Sequence, residues 1–214
     1  MNEKFLKLSL EKQEKLLKAI CEEFTEHNYE DASTNRIVEK AGVSKGTLFN
    51  YFGCKESLYH DLLRYGLEFF SAYMVEFETG DFIERCRILA EQDMRVYQES
   101  PHMLNLFAKV YLSDQSHLPT DIKESIDILL NEALEGLFEG VDYTLFRTDV
   151  DPILLMRMIR YTFDGYVKEI TQRMQNEDLK AEVFDQLMEE HDQMLQEMKK
   201  IYYRTEVWHD VAEL

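Results

Sequence analysis

Residues 33–55, STNRIVEKAGVSKGTLFNYFGCK, hold two short apolar-periodic segments separated by Ala41-Gly42-Val43. In the first, Ile37, Val38 and Ala41 fall at i, i+1 and i+4, which gives a helix one apolar side and leaves Arg36, Glu39 and Lys40 to water. Gly42 supplies the left-handed backbone that a helix end needs where the chain turns, and Val43 fills the angle beyond it. In the second, Leu48 and Phe52 lie four apart and anchor that helix to the core. A stretch built this way folds into two braced helices with the second pushed outward, a helix-turn-helix.

The outer side of the second segment carries groups suited to a nucleic-acid duplex. Ser44 is a natural N-cap, and the amides behind it at Lys45 and Gly46 would meet a phosphate on favourable electrostatic terms. Gly46 has no side chain to hold the backbone away. Asn50 can pair with an adenine edge, and Thr47 can hydrogen-bond or touch a thymine methyl. Lys55, opening the next helix, offers another phosphate contact.

The run from Tyr29 to Leu62, above all AGVSKGTLFNYFGCKESLYHDL, resembles the N-terminal domain of the tetracycline-repressor (TetR) family of bacterial transcription regulators. The likeness includes the aromatic pair Tyr51-Phe52 and the Lys55-Glu56-x-Leu58 start of the following helix. It departs at Ala32, where such proteins often carry a Thr, and at Gly53-Cys54, which replace a more usual polar or basic pair. The resemblance implies an all-α protein, with a DNA-binding domain over residues 1–55 and a helical body for ligand binding and dimerisation over residues 56–214. It implies DNA contacts from Ser33, Thr34, Arg36, Ser44, Lys45, Gly46, Thr47, Phe49, Asn50, Tyr51 and Lys55.

A formal charge of −18 looks wrong for such a role until its distribution is read. Residues 1–60 carry a net −1 and residues 61–214 a net −17, while residues 33–55 are +3. The acidity belongs to the body, where it suppresses non-specific adhesion and leaves phosphate contacts to the head. Cys21, Cys54 and Cys86 are odd in number and widely spaced, so neither a disulfide framework nor a zinc site is indicated. The charged, amphipathic start lacks the apolar core of a signal peptide, and no run approaches a membrane span. A soluble, cytoplasmic protein with no membrane partner, cofactor or metal is expected.

Glycine and proline are scarce, at 8 and 3, which suits long helices on short loops. Periodicity and breakers predict helices over about 9–27, 55–78, 81–99, 102–112, 120–139, 152–175 and 178–203, about nine with the two of the motif. Ser9, Pro152 and Asp178 are the starting signals for three of them. In the last two, Ile159, Phe163 and Val167 line one helix and Phe184, Leu187, Met188, His191 and Leu195 the other. Such stripes serve either as intramolecular core or as a symmetric four-helix contact, and the resemblance favours the dimer. Tyr65, Phe69, Tyr97, Phe107, Tyr111 and Met158 suit an apolar ligand pocket, although the same spacing serves ordinary packing. Arg157, Tyr161 and Asp164 share a helix face; they form an exposed polar stripe or, if buried, groups for which a ligand supplies a partner.

No GxSxG, HExxH or CxxC motif occurs, and the six histidines include no i,i+4 pair, so an enzyme is not expected. The expectation is a ligand-responsive homodimeric repressor, released from a palindromic operator when a small, hydrophobic effector binds the body. Its alternative is a helix-turn-helix-derived co-regulator that works through protein contacts without sequence-specific DNA binding. The outward hydrogen-bonding groups of residues 44–55 weigh against that alternative.

Overall fold

Apolar residues recurring every three to four positions, with few glycines or prolines between them, form ten α-helices among the residues that the computed structural model describes, 3–27, 29–113, 115–176 and 180–205. These are α1 (Glu3–Leu6), α2 (Leu10–Glu26), α3 (Thr34–Ala41), α4 (Lys45–Phe52), α5 (Lys55–Ser71), α6 (Phe82–Glu99), α7 (Pro101–Leu112), α8 (Thr120–Phe138), α9 (Pro152–Asn176) and α10 (Ala181–Tyr202). A 3-10 turn spans Tyr143–Leu145. The all-α class follows the expectation, with three local differences. Glu3–Leu6 forms a short helix of its own, the 3-10 turn is additional, and α5 stops at Ser71 rather than near residue 78. The cap expected at Asp178 lies outside the described residues.

By packing, the chain divides into two units, Met1–Met74 with Val96–Leu130 and Val75–Arg95 with Asn131–Leu214. The first unit is organised round Leu16, Ile20, Ile37, Leu48, Leu58, Leu62, Leu63, Met103 and Leu106, all nearly inaccessible to water. Each such side chain contributes about 1.5–3 kcal/mol when fully buried. Gly66 brings α5 close to α7, because a Cβ there would sit 2.0 Å from Cε2 of Phe107.

The second unit has its own core of Phe82, Ile83, Phe146, Leu155, Ile159, Phe163, Leu195 and Met198. Arg85 is buried at the end of α8 and donates to the carbonyls of Gly136, Leu137, Glu139 and Gly140, with a further bond of 2.6 Å to Thr79 O. Carbonyls at a helix C-terminus lack intrahelical partners, and a cation there also meets the negative end of the helix dipole. Within this unit the segment from Val75 to Gly80 has no regular helix, and Gly80 O accepts from Asp142 N at 2.8 Å. α9 and α10 pack together through Tyr166, whose hydroxyl donates to Leu187 O and whose ring lies 5.5 Å from His191.

Candidate nucleic-acid interface

The two motif helices form as their residue types dictate. α3 ends where Gly42 adopts φ +69°, and the N–H of Val43 donates to Val38 O at 3.1 Å, closing the helix end in the left-handed manner. Ser44 then caps α4, its hydroxyl accepting from Thr47 N at 3.0 Å and lying 2.8 Å from the Thr47 hydroxyl. Leu48 and Phe52 are buried, and Val43 packs against the same core. Gly53 turns the chain at φ +76°. Cys54 follows as the cap of α5, its sulfur accepting from Ser57 N at 3.4 Å. Gly53-Cys54 thus performs the turn and cap in place of a polar pair, and the Ser57 hydroxyl and amide hold the Cys54 thiol below its ordinary pKa.

With α4 anchored on one side, Ser44, Lys45, Gly46 and Asn50 are exposed on the other, and Thr47, Phe49 and Tyr51 are half-buried beside them. The Lys45 ammonium lies 5.8 Å from the Phe49 ring centroid and has no acidic partner among the described residues. Its charge is therefore available beside the open α4 N-terminus. Lys55 is placed differently: its ammonium donates to Glu30 O at 3.0 Å and covers the Tyr29 ring at 4.9 Å.

Arg36, expected to contact DNA, is engaged inside the head. Its guanidinium donates to both carboxylate oxygens of Glu23, with Nη2 at 2.6 Å and Nε at 2.9 Å from Oε1, and also to Asp31 O at 2.9 Å. Glu23 is wholly buried in α2 and also accepts from Ser33 N at 2.7 Å. Burial alone would raise the Glu23 carboxyl, but the Arg36 guanidinium and the Ser33 amide outweigh it and hold the group below the usual carboxylate range. An acid in that position fixes the start of α3, where Ser33 and Thr34 are half-buried and Ser33 makes no side-chain cap. Glu23 was not distinguishable in the sequence from the other acids of α2. Its interval of ten residues from Ser33 becomes meaningful only once α2 and α3 are packed.

Glu26 and His27 place ligand atoms within 4.8 Å of those of Glu23, but Glu23 is satisfied by Arg36 and Glu26 pairs with Lys40 at 3.1 Å. A second feature missed in the sequence is the N-terminal segment. Lys4 Nζ donates to Asn50 Oδ1 at 2.9 Å, and Phe5 is buried against Tyr51 and Phe52.

In the body, part of the expected pocket set is brought together. Phe69, Phe70 and Phe107 are half-buried, with ring centroids 5.3 Å apart for Phe69 and Phe70 and 4.8 Å for Phe70 and Phe107. Tyr65 packs against the same core, and Tyr97 is half-buried on α6. Tyr111, by contrast, is exposed at the end of α7. Arg157, Met158, Tyr161 and Asp164 all lie on the exposed side of α9, because Leu155, Ile159 and Phe163 turn the opposite side into the core. They lie on a mixed outer face, with Arg157 and Asp164 charged and Met158 and Tyr161 exposed large hydrophobics, rather than in a buried constellation.

The residues expected at a dimer contact are likewise largely internal. Ile159, Phe163, Phe184, Leu187, His191 and Leu195 are buried within the second unit, whereas Val167 is exposed and Met188 half-buried. The apolar stripes of α9 and α10 satisfy each other and α6, which leaves those buried side chains unable to reach another molecule. Met188 and His191 border an open groove of about 470 Å³ together with Arg87, Met94 and Arg95. Burial holds the His191 imidazole below its ordinary pKa, with Asp192 opposing the shift.

Comparison with known proteins gives this geometry a context. Residues 16–62 match the family described as bacterial regulatory proteins, tetR family. The chain is 30% identical over 168 residues to the HTH-type transcriptional repressor AcnR of Corynebacterium glutamicum, covering 76% of this chain and 82% of that one. Its fold is similar to a TetR family transcriptional regulator from Chloroflexus aurantiacus, with TM-score 0.61, 21% identity, and 95% and 98% of the two chains covered. It is also similar to the transcriptional regulator FadR from Bacillus subtilis in complex with stearoyl-CoA, with TM-score 0.50, 19% identity, and 85% and 96% covered. No helix among the described residues is long and apolar enough to cross a membrane.

Proposed function

This chain belongs to the TetR family of bacterial transcription regulators, and from that premise we propose that it is a homodimeric repressor whose α4 reads a palindromic operator. Residues 1–55 act as the DNA-binding head and residues 56–214 as the ligand-binding and dimerisation body of a cytoplasmic protein. The observation that carries this reading is the division of α4: Leu48 and Phe52 are buried while Ser44, Lys45, Gly46 and Asn50 are exposed. The amides at its N-terminus and the Lys45 ammonium suit phosphate, and the side chains of Thr47 and Asn50 suit base edges. Phe49 and Tyr51 flank that surface, and Ser33 and Thr34 stand at the start of α3 as backbone contacts. Arg36 acts here through Glu23, as a brace.

Dimerisation is assigned to the outer face of α9. Leu154, Met158 and Tyr161 are exposed at helical spacing, and Gly165 continues the stripe with open space around it. A two-fold pairing of such a face is isologous and sets two heads on successive major-groove faces, roughly 34–36 Å apart or a multiple of it. A small hydrophobic effector lodged against Tyr65, Phe69 and Phe107 favours a conformation in which the heads no longer match that spacing, and repression is relieved. The FadR structure with stearoyl-CoA supports an apolar ligand for a body of this fold.

Selection of duplexes from a random pool, followed by titration between 50 and 200 mM salt, tests the reading. A palindromic consensus is expected, with binding that weakens steeply with salt. Lys45→Ala is expected to weaken all sequences alike and to lower the salt slope by about one contact. Equal affinity for selected and scrambled duplexes refutes the proposal.

A further inference from the structure

The segment before Leu10 lies outside the residues that match the family, yet it is docked on the reading helix. Phe5 is wholly buried, its ring 6.4 Å from Tyr51 and 5.6 Å from Phe52. Gln13 Nε2 holds the backbone of the same segment, donating to Leu6 O at 3.1 Å and Leu8 O at 2.8 Å. This docking sets Lys4 Nζ 2.9 Å from Asn50 Oδ1. An ammonium can only donate, so the contact decides which end of the amide is which: Oδ1 faces Lys4, and the Nδ2 donors are left for the duplex.

The chemical consequence concerns which base edge suits Asn50. An amide pairing with adenine uses its oxygen to accept from the N6 amino group and its nitrogen to donate to N7. Here a cation stands at that oxygen and repels an amino donor approaching beside it. Guanine presents two acceptors, N7 and O6, to the same groove, and both a lysine ammonium and an amide nitrogen match them. We propose that Lys4 is a positioning residue for DNA reading, which turns Asn50 into a donor and makes it select a guanine edge over an adenine edge. The proposal rests on α4 being the recognition helix.

The test measures affinities of wild-type protein, Asn50→Ala, Lys4→Ala, Lys4→Arg and the double alanine variant for duplexes carrying each base at each operator position. The base pair at which Asn50→Ala loses discrimination is the one that Asn50 reads. At that pair wild type is expected to prefer guanine. Lys4→Ala is expected to lose the guanine-over-adenine ratio by on the order of tenfold. Lys4→Arg restores the ratio, and Lys4→Ala adds nothing in the Asn50→Ala background. Uniform weakening by Lys4→Ala with unchanged base preference makes Lys4 a phosphate contact only and overturns the proposal, as does a wild-type preference for adenine at that pair. A wild type with no preference at any position overturns the reading of α4 itself, and the proposal with it.

Discussion

Helices α4 and α9 are patterned alike, with an apolar stripe on a polar cylinder, and they dispose of it differently. In α4, Leu48 and Phe52 turn inward and the hydrogen-bonding residues turn outward, as polarity alone dictates. In α9, Ile159 and Phe163 enter the chain's own core, while Leu154 and Met158 stay near half exposed and Tyr161 is 67% exposed. A helix of 8 residues has room for one apolar side, so its stripe has a single destination. A helix of 25 residues can carry apolar groups on two sides, and periodicity does not say which side meets the chain and which meets another molecule.

The contrast breaks most visibly in α9 itself. Phe163→Ala removes a ring that lies 6.3 Å from both Phe82 and Phe138 in the core, and should cost about 3–5 kcal/mol in denaturant unfolding. Tyr161→Glu, two residues away, should leave the helical signal intact and shift the mass in light scattering from dimer to monomer. If instead Tyr161→Glu unfolds the protein and Phe163→Ala abolishes only association, the inner and outer faces have been assigned the wrong way round.

The same pairing of substitutions sharpens the picture in the head. Leu48→Ala should cost about 2–5 kcal/mol, because its side chain is completely buried. Asn50→Ala sits on the exposed side and should change stability by no more than about 0.5 kcal/mol, while discrimination between operators falls. Equal stability losses at the two positions would mean that α4 is buried on both sides and is no reading surface.

The head was readable in the sequence because every local signal there agrees: left-handed Gly42, cap Ser44, anchors Leu48 and Phe52, exposed Asn50. Its supports were not. Arg36 has the same residue type whether it meets a phosphate or a buried acid, and Glu23 is separated from it by a turn whose geometry only packing reveals. Lys4 reaches Asn50 across 46 positions of sequence, a distance over which no periodicity operates. In the body most helices were placed well, but α5 ends at Ser71, earlier than its periodicity suggested. Helix existence is a local property, whereas the facing of a long helix and the partner of a charge are tertiary ones.

The smallest expected effect tests whether the head's one buried acid is as integral as its apolar anchors. Glu23 has its carboxylate held below its ordinary value of 4.5 by Arg36 and the Ser33 amide, against the opposing effect of burial. A carboxyl depressed in the folded state binds fewer protons there than in the unfolded chain. Its contribution is therefore complete above about 4.5 and is lost as pH falls through the lower, folded value. Many other carboxylates titrate in the same range, so the informative quantity is the difference between wild type and Glu23→Gln in thermal midpoint, followed from pH 7 towards pH 3. The glutamine variant keeps an acceptor for the Ser33 amide but loses the charge opposite Arg36. It should melt below wild type at neutral pH, and the gap should close in acid, because wild type alone gives up the charged pair. A gap that stays constant across the titration would show that the Glu23 carboxylate and the Arg36 guanidinium contribute only shape and hydrogen bonds, and that the orientation of α3 does not depend on their charge.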